Sequence, residues 1–104
     1  MVPRHVTKTI RRFKEALSKN KFPACDVYLF GSYARGDARK DSDIDLCLVS
    51  PAFDKNKERY RMRATMIAFD IDPKIEIVIS SPEHFFHDEL SPLFSHIRKE
   101  ALAA

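Results

Sequence analysis

The stretch GSYARGDARKDSDIDL, Gly31 to Leu46, holds both glycines of a 104-residue chain and three acids at alternating positions, Asp41, Asp43 and Asp45. The run Asp43-Ile44-Asp45-Leu46-Cys47-Leu48-Val49, which begins inside it, alternates acid with apolar residue and then turns wholly apolar. That is the pattern of a strand with a buried face. Side chains alternate between the faces of a strand, so Asp43 and Asp45 share one side and Ile44, Leu46 and Leu48 the other. The strand rise sets the two carboxylates about 7 Å apart. Like charges held that close favour a cation between them. Oxygen-only donors suit a hard divalent cation, Mg²⁺ or Mn²⁺.

Upstream of this stretch, Val27-Tyr28-Leu29-Phe30 is short, apolar and rich in β-branched and aromatic residues, so it reads as a strand running into Gly31-Ser32. A glycine at a strand end lets a ligand come close to the backbone. Residues 33–36 are expected to form one helical turn, stopped by Gly36 in the left-handed conformation. The N–H groups that open such a turn prefer an anion, and the Ser32 hydroxyl adds a donor. Phosphate-binding backbone beside a pair of metal-binding acids meets the two needs of a nucleoside triphosphate.

Downstream, Ser50-Pro51 closes the second strand. Residues 55–69 lack glycine and proline and place Tyr60, Ala64, Ile67 and Ala68 on one helical face. Asp70 to Pro73 reads as a turn, and Lys74 to Ile79 as a third strand. On that strand Ile75, Ile77 and Ile79 share a face, leaving Glu76 and Val78 on the other. If the second and third strands are neighbours, Glu76 joins Asp43 and Asp45. Three carboxylates on two strands suit a two-metal, in-line displacement at phosphorus. Asp72 is the rival third carboxylate, although Pro73 marks it as a turn residue.

Val6, Ile10, Phe13 and Leu17 recur at helical spacing, with Pro3 near the start and the polar run 18–21 and Pro23 at the end. Ser81-Pro82 and Ser91-Pro92 each pair a serine cap with proline at the first helical position, opening short helices through Phe86 and about Leu102. The order is α-β-β-α-β-α-α. The expected class is α/β (α+β), one domain over residues 1–104, with a small mixed sheet, helices packed on one face, and the site at one end of the sheet.

Composition narrows the field. The net charge of +3 is uneven: residues 1–22 carry seven basic residues against the single acid Glu15. A basic helix of this kind could meet nucleic acid or an acidic partner, but its charges are not interleaved with aromatic residues in the way a single-strand binder needs, so it reads first as a solvated face and a nucleic-acid partner is not expected. There is no run of about 18 apolar residues to cross a membrane. The N-terminus shows no apolar run of a secretory signal, so the cytoplasm is the expected compartment. Cys25 and Cys47 read as reduced thiols. His84 and His87 lack a third metal ligand at suitable spacing.

The joint pattern resembles the DNA polymerase beta-type nucleotidyltransferase superfamily, whose signature is Gly-Ser, ten residues, then Asp-x-Asp. Here Gly31-Ser32 is followed by residues 33–42 and then Asp43-Ile44-Asp45. The fuller form GSxARGxxxxxSDxDL is met by Ala34, Arg35, Gly36, Ser42 and Leu46 as well. The whole chain looks like the minimal nucleotidyltransferases, often the antitoxin halves of HEPN/MNT pairs. The resemblance implies the nucleotidyltransferase fold, Gly31 and Ser32 on the triphosphate of ATP, and Asp43 and Asp45 on the metals. The third family carboxylate, usually Asp, falls on Glu76, as metal ligand and acceptor of the attacking hydroxyl's proton. Arg35 is placed as an ion pair or as support on the phosphate side.

The resemblance further implies transfer of AMP to a tyrosine of a HEPN toxin, since the chain offers little room for a region that grips the acceptor. Phe85, Phe86, Leu93 and Phe94 are the candidate docking residues, and a homo-oligomer stays open. The alternatives are a non-catalytic module that neutralises its partner by binding it, and transfer to a small molecule such as an aminoglycoside.

Overall fold

The computed structural model describes residues 2–104. The first helix, α1 (Arg4–Lys19), buries Val6, Ile10, Phe13 and Leu17 and leaves its basic residues in solvent. It ends where the Asn20 side-chain amide donates to the Ala16 carbonyl at 2.7 Å. Next along the chain come β1 (Asp26–Phe30), the single turn α2 (Ser32–Arg35), β2 (Ile44–Val49), a 3₁₀ turn (Pro51–Asp54), α3 (Lys57–Ile71), β3 (Ile75–Ser80), α4 (Pro82–His87), α5 (Pro92–Glu100) and β4 (Leu102–Ala103). The four strands form one sheet in the order β3-β2-β1-β4. β1 pairs antiparallel with β2, and β2 pairs parallel with β3. Parallel neighbours require a crossover, which α3 provides. The mixed α/β sheet expected from the alternation is therefore present.

The placement of the helices differs from the expectation of one covered face. Val27, Leu29, Ile44, Leu46, Leu48 and Ile79 pack with the buried faces of α1 and α3. The alternate residues Tyr28, Phe30, Cys47, Val49 and Val78 pack on the opposite side with Phe85 of α4 and with Phe94 and Ile97 of α5. That second face is too apolar to leave in water. The Phe85 ring stacks on Tyr28 with centroids 4.7 Å apart.

Two boundaries also move, and one strand is new. α3 continues through Asp70 and Ile71, so the expected turn shrinks to the residues after it. The last helix stops at Glu100, where Ala101 turns extended (ψ 140°). Leu102 and Ala103 then pair with Leu29 and Tyr28 as an edge strand that carries no turn signal in the sequence. The serine caps form as expected: Ser81 Oγ accepts from the His84 N–H and Ser91 Oγ from the Phe94 N–H, each at 3.3 Å. Among the described residues no helix is long and apolar enough to cross a membrane.

Candidate active site

β1 ends at one edge of the fold where β2 and β3 both begin, and the motif residues collect there. Gly31 has φ 79° and ψ −157°, a region that is essentially glycine's alone. A Cβ on Gly31 would strike the Asp45 Oδ2 atom and lie 3.0 Å from its Cγ. The cause is the β1–β2 register, which pairs Phe30 with Asp45. The glycine and the second aspartate of the motif are thus one packing unit. Gly36, at φ 84°, ends α2 in the left-handed conformation. The loop that returns to β2 is held by Ser42, whose hydroxyl accepts from the Arg39 N–H at 2.7 Å.

Asp43 lies just outside β2 and is exposed; Asp45 lies inside it and is half-buried. Both line a cleft of about 360 Å³ with Gly31, Ser32, Arg35 and Ser42. The parallel register sets Glu76 directly beside Asp45. Asp72 is held elsewhere: its carboxylate accepts from the Lys74 N–H at 2.9 Å in the turn before β3. Asp41, the first of the three alternating acids, stands in solvent 3.8 Å from Lys74 Nζ. Burial first, and then the neighbouring charges of Asp43 and Glu76, push the Asp45 carboxyl up to about 6.

Among the described residues no three carboxylate, histidine or cysteine side chains form a ready metal cage. The donors are nevertheless of the right kind. Mg²⁺ is commonly held by one or two carboxylates together with the phosphates of its substrate, so a full protein cage is not needed. The mutual repulsion at Asp45 is what a divalent cation would relieve. A larger cavity, about 610 Å³, lies between α1 and β4, but Ile10, Leu29 and Leu102 in its lining are apolar and no motif residue reaches it.

One site residue carried no signal in the sequence. Glu100, the last residue of α5, accepts from the Gly31 N–H at 2.8 Å and pairs with Arg35 at 3.1 Å. Arg35 also pairs with Asp37 at 3.2 Å. Glu100 is 69 residues from Gly31 in the chain, and only the docking of α5 on the second sheet face brings the two together. Of the four expected docking residues, Phe85 and Phe94 are core, while Phe86 and Leu93 are exposed. A longer exposed apolar row runs along α3 as Met62, Met66 and Phe69. His84 and His87 are exposed, and His84 sits 3.6 Å from Asp88. Both cysteines are free thiols.

The chain is similar to several known proteins. Two proteins of Methanocaldococcus jannaschii named as candidate protein adenylyltransferases are similar: one is 44% identical over 55 residues (47% of this chain, 52% of the relative), the other 49% identical over 43 residues (40% and 43%). The chain thus spans about half the length of the curated relatives it matches. Two solved structures share the fold. One, a toxin-antitoxin with AMP-PNP, has a TM-score of 0.62 at 21% identity, covering 89% of this chain and 69% of that one. The other, a candidate nucleotidyltransferase from Sulfolobus solfataricus, has a TM-score of 0.57 at 23% identity, covering 97% and 86%. The nucleotidyltransferase domain family matches residues 10–102, which contain the Gly31–Asp45 unit and all three carboxylates, and the chain belongs to that family.

Proposed function

We propose that this protein transfers the adenylyl group of ATP to a hydroxyl of a partner protein, a tyrosine of a HEPN-domain toxin that it neutralises as antitoxin. The observation that carries the reading is the register: Phe30 against Asp45, which packs Gly31 on that carboxylate, and Asp45 beside Glu76 bring the expected phosphate-side and carboxylate-side residues to one sheet end. The names of the Methanocaldococcus relatives support the adenylyl group. The toxin-antitoxin neighbour supports a protein partner. The free thiols of Cys25 and Cys47 fit a reducing, cytoplasmic compartment.

In this reading the Gly31 N–H, the Ser32 hydroxyl and Arg35 orient the triphosphate. Asp43, Asp45 and Glu76 would hold Mg²⁺ or Mn²⁺, which when bound offsets the charge of the phosphates and of the reacting centre. The acceptor oxygen attacks the α-phosphorus as the bond to the α–β bridging oxygen breaks. Pyrophosphate leaves, and Glu76 takes the hydroxyl proton.

One observation favours a second reading, a binding module without catalysis: Glu100 already occupies the Gly31 N–H and Arg35. The two are separated by incubating α-labelled ATP and Mg²⁺ with lysate of the source organism. Wild type is compared with Asp43→Asn/Asp45→Asn, and with wild type in chelator. A labelled band of partner size that needs both wild type and metal is expected, with mass spectrometry locating AMP on tyrosine. Equal labelling by the double variant, or none by either protein, would overturn the transferase reading. Full neutralisation of the partner by the double variant would establish the binding module.

A further inference from the structure

We propose that Glu100 is a built-in competitor for the phosphates of the nucleotide: its carboxylate holds the Gly31 N–H and Arg35, and a triphosphate must displace it to bind. The inference rests on the proposed function, because it takes those two groups as phosphate-binding.

The geometry is that of an anion in its site. Glu100 Oε1 lies 2.8 Å from the Gly31 nitrogen, and Oε2 lies 3.1 Å from Arg35 Nη1. The Glu100 side chain is only 11% exposed and lines the same cleft as Ser32, Asp43 and Asp45. One N–H cannot serve a carboxylate and a phosphate at full strength, and one guanidinium face has room for one of them. Nor does the position suit an acid for the helix's sake. Glu100 ends α5, where the helix dipole disfavours negative charge. Its partners there are the groups of the cleft and His96, one turn back at 3.4 Å.

Displacement need not unfold anything. Phe94 and Ile97 anchor α5 in the second core, so the Glu100 side chain can swing while the helix stays docked. The segment just beyond it is held lightly. β4 is two residues long, and beyond it the Ala104 N–H donates to the Val27 carbonyl at 2.9 Å and the exposed Lys14 Nζ donates to the Ala104 carbonyl at 3.0 Å. The Glu100 contacts tie the end of α5 to the cleft, so their release is expected to loosen residues 102–104 just beyond while α5 itself stays docked.

The test is ATP affinity by calorimetry for wild type, Glu100→Gln and Glu100→Ala, each checked for cooperative unfolding. Glutamine keeps the shape and removes the charge; alanine removes both. Loss of a charge-assisted competitor is expected to tighten ATP binding roughly tenfold or more. Hydrogen exchange on the wild type supplies a second readout that needs no variant. Saturating ATP is expected to speed exchange of the Leu102 to Ala104 amides. Folded variants that bind ATP no tighter than wild type, or slower exchange at residues 102–104, would overturn the inference while leaving the transferase reading intact. No ATP binding by any of the three proteins would overturn both.

Discussion

At the residue scale, Gly31 and Asp45 pack against each other in the candidate cleft. Both glycines have positive φ, but they differ in what surrounds them. A Cβ at Gly36 meets nothing within 4 Å, whereas one at Gly31 collides with Asp45. Gly36→Ala is expected to cost about 1 kcal/mol for the left-handed backbone alone. Gly31→Ala adds a clash to a backbone conformation that itself costs about 1–3 kcal/mol, so its urea midpoint should fall clearly further; equal midpoints would refute the packing unit. Asp45 carries a pH signature. Its carboxyl is raised from 3.8 to about 6 in the folded state, so the folded protein holds a proton that the unfolded chain releases. That contribution to stability is full below about 4 and is lost as pH rises through about 6. Asp45→Asn lacks it. In metal-free buffer the variant should gain on wild type between pH 4 and pH 6 and hold a constant advantage above. A difference that stays flat across denaturant midpoints at pH 4, 5, 6 and 7 would count against it.

At the element scale, α3 shows how a helix is placed by its smallest residues. Ala64 and Ala68 are fully buried where α3 crosses the sheet and α1. Their size lets the helix axis lie close to its neighbours. Ala68→Leu is expected to overpack this contact and cost about 1–3 kcal/mol, read as a lower unfolding midpoint; an unchanged midpoint would mean that the layer has slack. The outer side of the same helix carries Met62, Met66 and Phe69 in solvent. Apolar residues on both sides blur the period, which is why the sequence shows this helix by its lack of glycine and proline more than by amphipathic rhythm. α1 is the opposite case: four buried residues on one face and charge elsewhere make it readable outright.

At the scale of the whole molecule, two apolar layers on opposite sides of one sheet fix where the chain end lies. α1 and α3 cover one face, α4 and α5 the other. Asp45 and Glu76 alternate in step with Cys47 and Val78, so they stand on the side of the sheet that α4 and α5 cover. That arrangement lets the last residue of α5 reach into the cleft. The seven basic residues near the N-terminus gather mostly on α1, on the side of the sheet away from the site's acids, as a solvated face.

By itself the sequence determined what is local. Strand alternation set Asp43 and Asp45 apart from Ile44, Leu46 and Leu48, serine–proline pairs marked two helix starts, and Gly31 and Gly36 bounded a single turn. Each depends on neighbours within a few residues, where backbone sterics and periodicity act. The tertiary structure alone decided the register that sets Glu76, and not Asp72, beside Asp45. It also decided the covering of the second sheet face, the two-residue strand β4 and the reach of Glu100 to Gly31. Those contacts join segments far apart in the chain. They are chosen by which apolar surfaces must be buried together, a property of the whole packing that no local pattern records.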